Sequence, residues 1–364
     1  MTTYQLPNAG LKLTLDFPSQ ECVTLDFENV DGPPTYENEH YMLMHGRRNG
    51  TTATWKTRIL NQGKDFAILE YLKNAPVWSG GSFYTRDYPF CWIKVPNDDA
   101  KKRYCIFTQR EVDYTNINTP IPPTYSSIGV FKAPRLMHSG ASEVCVLSHW
   151  QDVGSCCMFD SSNPDQPPIG IKGDILVHAE PSKITDEVIL LYYTRIIDTR
   201  THNYDSQYEH GYPTYMTPLI EPPASGPGDW HRPNLCVAEY NVLTNRISKY
   251  YHGEFVPNTS FNTSKQLDSG LLNRPAMYGK MFRYQDYLIY TAQSYGSNGF
   301  LIFSSSDGIL WDFENIIPIE LAYHPSLIDV DGNLYFYFCK DRDTNFTFGL
   351  RSVPAKIERM YNES

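Results

Sequence analysis

Five residues with chemically active side chains open apolar, strand-like segments at well-separated points of the chain. They are Asp87, Arg135, Asp174, Arg274 and His324. Two carboxylates brought together can act as a general acid and as a base or nucleophile, which is the chemistry that hydrolysis of a glycosidic bond requires. The guanidinium and imidazole groups would orient a substrate. The alternative is that these Asp and Arg residues only form ion pairs and cap strand ends.

A repeated architecture would bring such distant positions together. Residues 274–311 and 324–352 each predict three short strands rich in aromatic and β-branched residues, separated by Gly, Asp and Asn turns. A recurring unit of about 40 to 50 residues that cannot bury both of its faces is typical of a propeller blade. Including these two, units open at Asp87, Pro134, Asp174, Arg274 and His324.

The sequence therefore predicts an all-β fold, a five-bladed β-propeller over residues 76–364 with an N-terminal β extension. Aromatic residues make up 14% of the chain, with 23 Gly and 26 Pro, and this composition favours strands and turns over helices. In a propeller the first strand of each blade lines a central channel, so the five openings would meet at one mouth of it. Residues 1–75 either close the ring by lending a strand to the last blade or form a small β appendage.

The third unit contains an insertion, residues 198–233, that is dense in Tyr, His, Pro and Gly. An irregular segment of this length is usually a functional loop or disordered, and its aromatic content argues against disorder. Trp230 and Tyr212 would form a platform for sugar rings, because such side chains bury apolar ring faces and keep a polar edge for hydroxyl groups. A surface loop packed on itself is the alternative.

Composition restricts the class of partner. A formal net charge of −10 argues against nucleic acid or an anionic membrane and leaves a neutral or cationic ligand open. No apolar stretch is long enough to span a bilayer, and the N-terminus does not resemble a signal peptide. The eight cysteines are interpreted as reduced thiols, several of them within apolar runs. The aromatic insertion, together with this charge, favours a carbohydrate ligand, and we expect a cytoplasmic or virion-associated location; the oligomeric state is not indicated.

Short motifs in the chain resemble those of five-bladed propeller glycosidases, namely glycoside hydrolase family 43 and relatives such as families 32, 62 and 117. Asp87-Tyr88-Pro89 is similar to their Asp-x-Pro segment, whose Asp is the base. His324-Pro325-Ser326-Leu327, followed by an Asp-Gly turn, is similar to their channel His segment. The ending of the fourth unit, Ser305 to Trp311, is also similar. The resemblance covers about residues 80–354.

This resemblance implies that Asp87 is the base or nucleophile and Asp174 the acid, while Arg135, Arg274 and His324 orient the substrate. The chain departs from the family pattern in two places. The acid is usually Glu before Gly-Pro, whereas here Asp174 follows Gly173, and the second blade usually presents an Asp where this chain has Arg135. Acids ranked below Asp174 are Glu180, Glu187, Glu209 and Asp229.

No metal site or other cofactor is predicted. Four histidines, His45, His138, His149 and His178, have no partner at metal-ligand spacing. In some members of the resembling families a cation lies near the channel His, but no spacing in this chain indicates one near His324. Two functions remain open: a glycoside hydrolase acting on an oligosaccharide at the channel mouth, or a non-catalytic glycan- or protein-binding propeller, including one from a virus.

Overall fold

The structure is a computed structural model, and the part of the chain that it describes forms antiparallel β-sheets, with a 3₁₀ turn at Phe17–Ser19 between two of the strands. That part is residues 1–24, 27–30, 35–38, 41–49, 51–60, 65–72, 84–94, 104–113, 124–132, 151–155, 175–185, 187–198, 231–244, 246–251, 253–257, 270–272, 274, 276–294, 299–341 and 348–360. The chain divides into two compact units, Met1–Leu72 with Pro275–Ser364, and Lys73–Arg274. No helix in the described ranges is long and apolar enough to cross a membrane.

The strands are numbered along the chain. In the N-terminal part of the first unit they are β1 Thr2–Leu6, β2 Leu11–Leu15, β3 Glu21–Cys22, β4 Asn29–Val30, β5 Thr35–Asn38, β6 Tyr41–Arg48, β7 Thr51–Leu60 and β8 Asp65–Leu72. In the second unit they are β9 Tyr84–Lys94, β10 Tyr104–Asp113, β11 Thr124–Lys132, β12 Gln151–Ser155, β13 Ile175–Pro181, β14 Val188–Asp198, β15 His231–Asn241, β16 Arg246–Tyr251 and β17 Glu254–Pro257. The first unit ends with β18 Ala276–Tyr284, β19 Tyr287–Ser294, β20 Phe300–Ser305, β21 Asp312–Ile317, β22 Ala322–Val330, β23 Asn333–Asp341 and β24 Phe348–Arg359.

Three of the sheets belong to the first unit. One has the order β1-β2-β24-β23-β22, with β3 also pairing with β24. The second has the order β18-β19-β20-β21, and the third is β4-β6-β7-β8 with β5 beside β6. Strand β2 shows why these segments fold as they do, because Leu11, Leu13 and Leu15 are buried while Lys12 and Thr14 are half-buried.

The described residues of the second unit form two sheets, ordered β12-β11-β10-β9 and β13-β14-β15-β16-β17. In both, strands that follow one another along the chain are neighbours, as in a meander. The five sheets formed by the described residues confirm the predicted all-β fold, and their number equals the predicted number of blades. As the sequence predicts, Asp331 and Gly332 form a turn; both have a positive φ, which a tight two-residue hairpin requires.

The units predicted to open at Asp87 and Pro134 are not separate sheets. Strands β9 and β10, which follow the first opening, pair with β11 and β12, which flank the second one, in a single sheet. The remaining sheet is built by residues 29–72, which the sequence interpretation assigned to an N-terminal extension. Strands β1 and β2 continue the sheet of β22–β24, which is the arrangement of the alternative in which N-terminal residues lend a strand to the last unit. The N-terminal part of the chain thus contributes to two different sheets.

Two hydrophobic clusters hold the sheets of the first unit together. Phe300 of β20 contacts the rings of Phe336 and Phe338 of β23, with centroids 5.7 and 5.9 Å apart. On the other face of β23, Tyr337 is fully buried in a cluster that includes Trp55 of β7. Because each sheet is covered in this way, its stability depends on its neighbours rather than on its strands alone.

A buried carboxylate fixes the β1–β2 turn to the adjacent sheet. The backbone N–H groups of Asn8 and Ala9 donate to Oε2 and Oε1 of Glu314 at 3.2 and 3.1 Å. The hydroxyl of Ser304 on the next strand also donates to Oε1. Burial raises the pKa of the Glu314 carboxyl above its ordinary value, although these hydrogen bonds act in the opposite direction.

We predict that Glu314→Gln lowers the free energy of unfolding by about 1–3 kcal/mol at neutral pH. The amide can accept on only one side, so its NH₂ group would face a backbone N–H group of the hairpin turn. Urea denaturation measures this difference. The control is Glu320→Gln, which changes an exposed carboxyl in the same unit and should alter stability by less than about 0.5 kcal/mol.

The same pair of proteins should show a pH dependence. Because the folded-state pKa of Glu314 is raised, the stability linked to its protonated form is fully present below the unfolded pKa of about 4.3 and is lost as the pH rises through the folded value. The advantage of the wild type over Glu314→Gln should therefore be largest in acid. An advantage that grows toward neutral pH would contradict this assignment.

Candidate functional site

Three of the seven residues predicted for the site lie in the described part of the chain. Asp87 is on β9, opposite Arg110 of β10. Arg274 is half-buried at a bend in the second unit, and His324 is half-buried on β22 of the first unit. The other four predicted residues, Arg135, Asp174, Tyr212 and Trp230, lie outside the described residues.

A β-bulge interrupts an early strand of every one of the five sheets. The extra residues are Glu37 on β5, Phe90 on β9, Val177 on β13, Tyr278 and Gly279 on β18, and His324 and Pro325 on β22. Bulges bend a strand and redirect a side chain, and they are frequent beside functional sites. The predicted site residue His324 therefore lies at a recurrent irregularity of the fold rather than within a regular strand.

Two of the bulges hold a side chain in the left-handed backbone region. Tyr278 has φ +51° and His324 has φ +55°, values that are uncommon for residues other than glycine. Gly279 is required next to Tyr278, because a Cβ there would lie 1.9 Å from the carbonyl oxygen of Thr291. Such strain persists only where the surrounding structure enforces it, and it clusters at functional sites.

The two strained side chains touch each other. The rings of Tyr278 and His324 form an edge-to-face contact with centroids 5.2 Å apart. Strands β18 and β22, which carry them, lie in neighbouring sheets and are themselves in contact. Burial raises the pKa of the Tyr278 phenol above its ordinary value. A protonated phenol can both donate and accept a hydrogen bond.

Sequence reasoning missed Tyr278. Its only signal is the glycine that follows it inside a strand pattern, since an isolated glycine in a strand indicates a bulge or a close backbone approach. Tyr has no preference for positive φ, and the modest enrichment of His at positive φ does not single out one His position. The contact between the two rings depends on the pairing of distant strands and could not be read from spacing.

In the second unit, the strands associated with the two predicted catalytic carboxylates are neighbours. Strand β9, which carries Asp87, contacts β13. In the sequence, Asp174 immediately precedes Ile175, the first residue of β13. Opposite Ile175 on β14 lies Thr194, whose hydroxyl is buried.

The alternative acids are distributed differently. Glu180 lies on β13, with its carboxylate 3.6 Å from Nε2 of His178, an ion pair when the histidine is protonated. Glu187 is exposed in the turn before β14, while Glu209 and Asp229 lie outside the described residues. Glu180 is thus engaged with a histidine on its own strand, and it remains ranked below Asp174. Within the described ranges, no group of three His, Cys, Asp or Glu side chains is arranged to hold a metal ion.

Comparisons with known proteins give structural similarity only. No family model matches this chain, and no curated protein does. Similar solved structures include a family 117 glycoside hydrolase of Zobellia galactanivorans, at 11% identity and a TM-score of 0.45, covering 94% of this chain and 90% of that one. A thermostable family-43 glycoside hydrolase has 11% identity and a TM-score of 0.48, covering 96% and 95%. An endo-arabinase of Bacteroides thetaiotaomicron has 10% identity and a TM-score of 0.47, covering 92% and 97%.

Glycoside hydrolases of families 43 and 117, which the sequence motifs resemble, are therefore also among the similar structures. The identities are low and these TM-scores are below 0.5.

The strain at His324 can be measured by comparing two substitutions. His324→Asn and His324→Val both remove the ring contact with Tyr278, but Asn tolerates positive φ and the β-branched Val does not. We expect His324→Val to be less stable than His324→Asn by about 1–3 kcal/mol in urea denaturation. Equal stabilities of the two variants would show that the backbone at this bulge is not strained.

Proposed function

We propose that this chain is a propeller glycoside hydrolase that acts on an oligosaccharide by carboxylate acid/base catalysis. Asp87 is the base or nucleophile, and Asp174 is the acid that protonates the leaving oxygen. Arg135, Arg274 and His324 orient the sugar hydroxyl groups. The stereochemical outcome follows from the separation of the two carboxyl groups, which is shorter in retaining than in inverting enzymes.

The observation that carries this proposal is the contact between β9 and β13. These strands begin two successive sheets, and one carries Asp87 while Asp174 directly precedes the other. Two carboxylates that act on one bond must lie on neighbouring parts of the fold, and the contact between these strands supports that arrangement, whereas ion pairing alone would require no such adjacency. This favours acid/base chemistry over a purely structural role for the two aspartates.

A carbohydrate is the substrate class that best fits the remaining features. The net charge of −10 disfavours polyanionic substrates and is compatible with a neutral saccharide. Trp230 and Tyr212, within the aromatic insertion, supply flat apolar faces for sugar rings.

A second candidate function is a propeller that binds glycans or proteins without cleaving bonds. The chain has Asp174 where the resembling families have Glu, so the acid is one methylene shorter, and Arg135 stands in a segment where they present an Asp. These departures favour binding without turnover. Kinetic measurements distinguish the two functions.

The test uses aryl glycosides of arabinofuranose, xylose and galactose with two leaving groups, 4-nitrophenol and the more acidic 2,4-dinitrophenol. Asp87→Asn should lower kcat/KM by about 10²–10⁴-fold for both, since the base or nucleophile is needed in either case. Asp174→Asn should lose most activity with 4-nitrophenol and much less with 2,4-dinitrophenol, which leaves without protonation. Asp286→Asn, in an exposed turn, is the matched control and should behave as the wild type.

Two results would contradict the enzymatic proposal. One is wild-type binding of glycosides without turnover that is unaffected by either substitution, which would support the second candidate. The other is turnover that Asp87→Asn leaves unchanged, which would place the chemistry elsewhere.

A further inference from the structure

A short segment preceding Arg274 is held against β15 by a single side-chain amide. Nδ2 of Asn234 donates to the carbonyl oxygen of Leu272 at 3.1 Å, and the backbone N–H of Leu272 donates to Oδ1 of Asn234 at 2.9 Å. The amide therefore satisfies both backbone polar groups of Leu272, its N–H and its carbonyl oxygen, as a neighbouring strand would. Asn234 itself is 9% exposed, so both hydrogen bonds are shielded from water.

Backbone contacts extend this attachment. The N–H of Leu271 donates to the carbonyl oxygen of Leu235 at 2.8 Å, next to Asn234 on β15. Leu271 and Leu272 are buried, at 4% and 2% exposure. Gly270 fits closely over the amide, because a Cβ at this position would lie 2.6 Å from Cγ of Asn234. Residues 270–272 are thus held by Asn234 and Leu235 of β15.

This attachment limits the region that Arg274 can occupy. Only one residue separates Leu272 from Arg274, and two residues of chain span at most about 7 Å. The segment and Asn234 belong to the same compact unit as Asp87 and Asp174. Fixing the backbone at Leu272 therefore limits the positions open to the Arg274 guanidinium, which reduces the entropy lost when it binds a substrate.

We propose that Asn234 is a positioning residue for Arg274: its amide holds residues 270–272 on β15 and so places the guanidinium that orients the substrate. This role rests on the proposed glycoside hydrolase function. Asn234 does not touch the reacting atoms. Its effect passes through the backbone of Leu272, and a variant that loosens this segment should weaken substrate binding more than the chemical step.

The variants are Asn234→Ala, which removes both hydrogen bonds, and Gly270→Ala, which keeps Asn234 but displaces its amide. The matched control is Asn241→Ala at the other end of β15, where Oδ1 accepts from the backbone N–H groups of Leu243 and Thr244 at 3.0 and 2.9 Å. Each of the three substitutions removes or disturbs hydrogen bonds between an asparagine side chain of β15 and backbone groups. Only the first two affect the segment before Arg274.

Two measurements need no substrate. Hydrogen exchange followed by mass spectrometry should show faster exchange at the amides of Leu271 and Leu272 in Asn234→Ala and Gly270→Ala but not in Asn241→Ala. Phenylglyoxal should modify Arg274 at a rate at least about threefold different from the wild type in the same two variants, with Arg359 as an internal reference. Unchanged rates at Arg274 would overturn the proposal.

Kinetics with the aryl glycosides test the functional part. In Asn234→Ala, kcat/KM should fall about 10- to 100-fold, mostly through KM, and Asn234→Ala should add little to the effect of Arg274→Ala. Additive losses in the double variant would mean that Asn234 acts on stability rather than through Arg274, and would overturn the proposal.

The two proposals fail in distinguishable ways. If the wild type turns over no glycoside, the hydrolase function falls, and the exchange and modification rates still decide whether Asn234 positions Arg274. If the wild type is active but Asn234→Ala leaves KM and the Arg274 modification rate unchanged, the hydrolase function stands and the positioning role is wrong.

Discussion

The pairing of β2 with β24 is the interaction on which the first unit depends. It joins the two ends of the chain in one sheet, from Leu11 opposite Arg359 to Leu15 opposite Ala355. Without it, β24 would have an exposed edge and the large cluster around Phe300 and Phe336 would lose the three leucines of β2. Glu314 reinforces the same arrangement from the adjacent sheet, since it binds the turn that precedes β2.

A sheet that is fixed at its outer edge can tolerate irregularity in its first strand. The bulges at Tyr278 and His324 each interrupt a ladder and place a side chain at positive φ, which is unfavourable for the isolated strand. In the sheet that contains His324, the pairs of β23 with β24 and of β24 with β2 are regular and offset this cost. The sheet of Tyr278 contains a further irregularity between β20 and β21.

The fold class could be predicted because strand and turn signals are local. The Asp331-Gly332 turn and the alternation of β2 are both visible in the sequence. The sheet of residues 29–72 was missed because β5 and much of β7 are polar and carry few of the apolar alternations that mark a strand. The Asp87 and Pro134 units were separated because nothing in the spacing shows which strands share a sheet.

Prediction of the site was limited in the same way. His324 was identified from its motif, but its contact with Tyr278 arises from strands brought together by the fold. The role proposed for Asn234 depends on a segment that returns to β15 almost forty residues later in the chain. A side chain that mimics a strand partner has no sequence signature, because its partner is a backbone group that any residue would supply.

The central claim is that Asp87 and Asp174 face each other across one saccharide bond, and the most direct measurement is the separation of their carboxyl groups in a crystal structure with a bound oligosaccharide. The account predicts about 5 to 10 Å, with the glycosidic oxygen between the two groups. A separation well above this range, or a saccharide bound away from both carboxyl groups, would contradict it.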